Sequence, residues 1–128
     1  MSPRRDIAMT TPEIEAFLGA RRDCVVVSLD GLGRPDGTVG SLVRDGRRTS
    51  FDVAADDPLV ALLDRDQRTC CVVEEFPSYY EIKGVMVHGI ATRRPVGRAS
   101  DRATYDLEVS SVVSFDFGKL LGPAPPRA

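Results

Sequence analysis

Cys24-Val25-Val26-Val27-Ser28-Leu29, followed by Asp30-Gly31-Leu32-Gly33-Arg34-Pro35-Asp36-Gly37 and then Thr38-Val39-Gly40-Ser41-Leu42-Val43, is the stretch that decides the fold. Its first part is rich in β-branched side chains and too short for a helix, and its middle carries dense turn chemistry. Its last part is extended again, so the order reads strand, hairpin loop, strand. Arg44-Asp45-Gly46-Arg47 adds a tight turn around Asp-Gly, and Arg48-Thr49-Ser50-Phe51-Asp52-Val53 a third strand. The segment is an antiparallel meander.

Upstream, Thr11 precedes Pro12, and Ile14, Phe17 and Leu18 fall at i, i+3 and i+4 before Gly19, which predicts a short amphipathic helix capped by Thr11. Residues 1–10 lack a periodic apolar pattern and are expected to form a flexible arm. Downstream, Asp57 as cap and Pro58 at the first helical position open a second helix that packs Leu59, Val60, Leu62 and Leu63. Thr69 to Glu74 reads as a fourth strand and Tyr79 to Thr92 as a fifth, with Ile82, Gly84, Met86, His88 and Ile90 on one face and Gly84 and Gly89 marking bends or a bulge. Arg93 to Arg102 reads as a loop with a helical turn begun by Ser100, and Leu107 to Phe117 as a sixth strand. Residues 11–121 are expected to form one domain and 122–128 a Pro-rich tail. Hairpin turns and short helices exclude a βαβ fold, since parallel strands need long crossovers; a mainly β, six-stranded antiparallel barrel with two or three short helices over its openings fits.

The chain has 128 residues, 17 basic and 19 acidic side chains, a net charge of -2 and a single histidine. It offers no excess positive field for a polyphosphate backbone, so nucleic acid is excluded as the main partner. No apolar run approaches the roughly 18 residues of a membrane span, and no apolar segment follows Arg4-Arg5, so a cytoplasmic protein without a membrane partner is expected. Cys24, Cys70 and Cys71 are odd in number and lie in apolar runs, which describes reduced, buried thiols.

Individual motifs give little. Gly31-Leu32-Gly33 has its third glycine one place late, at Gly37, and leads into a strand, so it is a hairpin loop and not a dinucleotide fingerprint. Zinc held by Cys24, Cys70, Cys71 and His88 is disfavoured, because Cys70 and Cys71 are strand neighbours that point to opposite faces. His88 reads as a histidine satisfied by a neighbouring backbone group, with a general acid or base role as the alternative. Asp56-Asp57 and Glu74-Glu75 read as a cap and a solvated strand end. Phe76, Tyr79 and Tyr80 either plug a barrel end or border a flat ligand.

The order of elements and several strings resemble the split β-barrel flavin-binding proteins related to pyridoxamine 5′-phosphate oxidase, which include FMN- and deazaflavin-dependent reductases. The strings are Thr11-Pro12-Glu13-Ile14-Glu15-Ala16-Phe17-Leu18, Gly33-Arg34-Pro35, Asp64-Arg65-Asp66-Gln67-Arg68, Tyr80-Glu81-Ile82-Lys83-Gly84-Val85, His88-Gly89-Ile90-Ala91 and Val113-Ser114-Phe115-Asp116-Phe117-Gly118-Lys119-Leu120. The resemblance implies a homodimer with a small planar cofactor at the subunit interface, either FMN or a deazaflavin coenzyme of the F420 type. It implies that Thr38, Val39, Gly40 and Ser41 line the ring, that Ser50, Phe51, Asp52 and Val53 lie near the phosphate, and that Tyr79, Tyr80 and Lys83 complete the site. Hydride transfer with a small hydrophobic substrate is the implied chemistry.

One segment departs from the family's pattern. Phosphate-binding members place a cation, often an Arg-Asn pair, at the start of the helix after strand three; this chain has Asp56-Asp57-Pro58-Leu59-Val60-Ala61-Leu62-Leu63. A like-charge contact at 4 Å costs on the order of 4 kcal/mol at an effective dielectric near 20. Cations that compensate would come from Arg44, Arg47, Arg48, Arg68 or Lys83. The alternative function is a non-catalytic homodimer that has lost phosphate binding, holds no cofactor and serves as a binding or accessory protein.

Overall fold

The structure is a computed structural model that describes residues 7–76, 81–95 and 100–121. Its elements are α1 (Thr11–Leu18), β1 (Arg21–Leu29), β2 (Pro35–Asp45), β3 (Arg48–Ala54), α2 (Leu59–Arg65), β4 (Arg68–Glu75), β5 (Lys83–Arg93), β6 (Arg102–Asp116) and a closing 3₁₀ turn over Phe117–Leu121. The deciding stretch folds as its turn chemistry dictates. The Asp30 carboxylate accepts the backbone N–H groups of Leu32 at 2.8 Å and Arg34 at 2.9 Å, while Gly33 takes φ 78°. Gly46, at φ 60°, turns β2 into β3.

The strands close into a barrel in the order β1-β2-β3-β6-β5-β4, every pair antiparallel. Long β6 makes closure possible, because its first residues, Arg102 to Asp106, pair with β3 while the strand also runs along β5. The seam between β1 and β4 is short: Val25 faces Val72, Val26 faces Cys71 and Val27 faces Cys70. Alternation then sends Val26, Leu42, Phe51, Val53, Val73, Val85 and Tyr105 inward, and Leu59 and Leu63 of α2 join the same core. Phe51 and Tyr105 are cross-strand partners whose rings stack 5.1 Å apart.

Several sequence expectations shift. β6 begins at Arg102, five residues before Leu107, so no helical turn follows Ser100, whose hydroxyl instead bonds the Arg102 backbone. Polar Arg102, Thr104 and Asp106 hide the inward alternation of Ala103, Tyr105 and Leu107. The described part of β5 starts at Lys83, and its Met86 and His88 point outward, because the intervening Val85 and Val87 hold the core positions. Thr10, not Thr11, caps α1 through a capping box with Glu13. Within the segment expected to be a flexible arm, Ile7 and Met9 are buried and the Met9 N–H donates to Ser114 Oγ at 2.9 Å. Residues 1–6, Tyr79, Tyr80 and the tail lie outside the described residues.

The expected bulge is present. His88 faces Ser111 and Gly89 faces Val109, leaving Ser110 as the extra residue of β6. A Cβ at Gly89 would run into the Glu108 carbonyl group. Gly89→Ala is therefore expected to lower the unfolding free energy by about 2 kcal/mol; an unchanged urea midpoint would show that the two strands can part without cost.

Glu13 ties three elements together. Its carboxylate accepts Lys119 Nζ at 2.7 Å and the Thr10 N–H at 2.9 Å, and the Lys119 contact above all holds its pKa down at about 2. A folded pKa below the ordinary 4.5 stabilises the fold in full above 4.5, and that contribution disappears as pH falls toward about 2. The melting-temperature gap between the native chain and Glu13→Gln is expected to narrow over that window. A gap constant with pH would rule out the ionic contact as its source.

Candidate functional site

The residues that alternate with the core form an outward row that crosses five strands. Val39 faces Val25, Val25 faces Val72, Val72 faces Met86 and Met86 faces Val113, all in direct register. Val39 is 72% exposed and Val25 43%. The parallel row beside it runs Gly37, Val27, Cys70, His88, Ser111. A wall of this kind presents an apolar surface on the outside of a barrel whose inside is already full.

The same alternation divides the expected cofactor residues. Val39 and Ser41 of β2 and Ser50 and Asp52 of β3 are on the outer side, and Ser41 is directly paired with Asp52. Phe51 and Val53 are fully buried in the core, and a Cβ at Gly40 would sit 2.6 Å from the Asp52 carbonyl oxygen and 3.0 and 3.1 Å from the Val26 and Val53 side chains. These three residues offer an outer-face ligand only backbone. Thr38 turns toward α2. Lys83 lies at the start of β5, between Glu75 of β4 and Asp116 of β6, and not on β2 or β3.

Where the family pattern would put a phosphate, the chain supplies its own anion. Asp57 Oδ1 accepts the Leu59 N–H at 2.9 Å and Oδ2 accepts the Thr38 hydroxyl at 2.6 Å. Pro58, expected at the first helical position, is instead the N-cap of α2, so the Asp57 carboxylate sits one residue ahead of the cap and holds the N–H of the first helical residue, Leu59, which at 2% exposed belongs to the core. The cations named from sequence go elsewhere: Arg44 pairs with Glu15 at 2.7 Å and Arg68 with Asp66 at 2.6 Å, while Arg47 and Arg48 line a groove of about 370 Å³ with Asp106 and Glu108. Two others come to β3 instead. Buried Asp52 accepts Arg102 Nη2 at 2.6 Å and Nε at 2.9 Å, and Arg21 Nη2 at 3.4 Å. Sequence reasoning missed both arginines, since they lie 50 and 31 residues away, and it takes the β1–β2–β3 register to bring Arg21 to Asp52 and the β3–β6 pairing to bring Arg102.

The cysteines divide between inside and outside. Cys24 and Cys71 share a hydrogen bond within the barrel, which together with burial pushes the Cys71 thiol up. Cys70 faces outward, half-buried, with its Sγ 3.9 Å from His88 Nε2, and burial raises its pKa. The four residues weighed as zinc ligands thus fall into two separate pairs, one inside the barrel and one outside, and among the described residues no cluster of three or more metal-ligating side chains forms. The backbone partner expected for the His88 ring is not found among the described residues; the ring stands on the outer wall beside the Cys70 thiol. No helix among the described residues is long and apolar enough to cross a membrane.

No protein-family model matches the chain, and none of the curated proteins does. Its fold is nevertheless shared with solved structures. A conserved hypothetical protein of Mycobacterium tuberculosis, Rv2991, superposes with a TM-score of 0.78 at 18% identity over 100% of this chain and 98% of its own. An FAD-binding protein from Mesorhizobium loti gives 0.70 at 12% identity over 85% and 94%, and the haem storage protein HutZ from Vibrio cholerae 0.68 at 13% over 84% and 97%. A putative pyridoxamine 5′-phosphate oxidase and an F420 reductase share the fold as well. The chain shares with these structures, an FAD-binding protein and an F420 reductase among them, the six-stranded antiparallel barrel that its sequence resemblance implied.

Proposed function

We propose that the chain is a homodimeric split-barrel oxidoreductase that binds a flavin or deazaflavin by its ring on the outer side of β2 and β3 and acts on a small hydrophobic substrate. The observation that carries this reading is the apolar outer row that begins at Val39 on β2 and continues through Val25, an exposed apolar surface suited to cover by a planar ring and a second barrel. The FAD-binding and F420-reductase neighbours support it at the level of the fold.

The residues present fit the ring better than the phosphate. Val39 offers apolar contact and the β2 backbone offers hydrogen-bonding groups, whereas Asp57 closes the start of α2 and Asp52 engages Arg21 and Arg102. A bound flavin supplies the hydride chemistry; the chain's own part is to position it and exclude water. Asp57 favours a second reading, a homodimer without cofactor that serves as a binding or accessory protein, because a phosphate would meet a carboxylate there.

Visible absorption of the purified protein, followed by fluorescence titration with FMN, riboflavin and a deazaflavin, separates the two. Under the first reading flavin binds, FMN and riboflavin agree within about threefold, or roughly 0.6 kcal/mol, and Asp57→Asn raises affinity for FMN alone. Colourless protein that binds none of the three sinks that reading in favour of the second. Both readings expect a dimer by light scattering that Val39→Glu converts to monomer; a native monomer removes the homodimer from either.

A further inference from the structure

We propose that Cys70 and His88 are a chelating pair for a thiophilic ion with a filled d shell, Zn²⁺ or Cu⁺, on the outer wall of the barrel. The two residues are direct cross-strand partners on β4 and β5, with Sγ and Nε2 already 3.9 Å apart. A tetrahedral zinc ion with bonds of about 2.3 Å to sulfur and 2.0 Å to nitrogen holds those atoms about 3.5 Å apart. Small side-chain rotations therefore admit the ion, and the backbone need not move.

The surroundings suit an ion on this wall. Cys70 and His88 border a groove of about 180 Å³ with Val27, Leu29, Arg68 and Thr69. Arg68, the cation that would oppose a metal, lines the same groove but is paired with Asp66, which accepts Nη2 at 2.6 Å and Nε at 3.0 and 3.2 Å and offsets its charge. The β6 bulge sits directly behind His88, where Ser110 Oγ donates to the His88 carbonyl oxygen at 3.2 Å and fixes the backbone that carries the imidazole. A thiolate and an imidazole together are the donor set that soft and borderline ions prefer. On binding, a metal–sulfur bond replaces the S–H bond and the proton goes to solvent. The remaining coordination positions face the groove and stay open to water or to a small donor ligand.

The pair lies on β4 and β5, in the row beside the apolar one, and no flavin contact enters its argument, so this inference does not rest on the flavin reading. Its test uses the reduced full chain and Co²⁺ as the spectroscopic probe, with Zn²⁺ and Cu⁺ as competitors. A thiolate-to-cobalt charge-transfer band is expected that either competitor abolishes. Cys70→Ser should remove the band, His88→Gln should weaken Co²⁺ binding at least tenfold, and Cys24→Ala should leave it unchanged. In the native chain, Zn²⁺ should also protect Cys70 from maleimide alkylation, located by peptide mass, which needs no variant to fold. Absence of the band, its survival in Cys70→Ser, equal affinity in His88→Gln, or alkylation indifferent to Zn²⁺ would each overturn the proposal.

Discussion

The β3–β6 seam, with Phe51 stacked on Tyr105 at its centre, is the contact on which the rest of the barrel depends. It joins the meander to the chain's last strand, and an interplanar angle of 13° between two fully buried rings makes it a close stack. Such a pair adds about 0.5 to 1.5 kcal/mol beyond its buried area. Without the seam, β1 to β3 would be left holding the rest through three pairs between β1 and β4. The seam also leaves the Tyr105 hydroxyl buried without a hydrogen-bond partner among the described residues, and burial pushes that phenol up, which keeps it neutral inside the barrel.

Closing the barrel around that stack determines what is left for function. The aromatic pair and its aliphatic neighbours fill the interior, so a ligand is confined to the outer wall or to grooves at its margins. Alternation then fixes which side chains the wall presents: Val39, Val25, Val72, Met86 and Val113 in one row, Cys70 and His88 in the next. The seam also brings Arg102 to Asp52, because Arg102 is paired with Ala54 and its guanidinium spans back to the carboxylate.

The meander, both helices and the bulge at Gly89 were legible in the sequence because each carries a local signal: Asp-Gly turns, apolar spacing and glycine in a strand. The opening of β6 was not, since Arg102, Thr104 and Asp106 present polar residues that suggest a loop until β3 is known to lie beside them. The candidate site was legible only by strand. The expected residues of β2 and β3 do lie on neighbouring strands, but choosing the outer side chains from the inner ones takes the register, which places Phe51 and Val53 in the core. Cys70 and His88 were individually visible, yet eighteen residues apart in the chain they become a pair only through the pairing of β4 with β5.

Charge shows the same dependence on pairing. The missing cation at the start of α2 was evident from composition, but a deficit of charge there is compatible with an anion site if arginines approach from other strands. Two arginines do approach the neighbouring strand, and both are bound by Asp52, while Asp57 spends one carboxylate oxygen on the Leu59 N–H and the other on the Thr38 hydroxyl. The Leu59 N–H, the Thr38 hydroxyl and the Arg21 and Arg102 guanidinium groups are thus each matched to a carboxylate within the chain. Dianion binding at this position would have to break those contacts before making its own. Ring contacts on the outer wall carry no such cost, which is why affinity there is expected to follow the ring and not the phosphate.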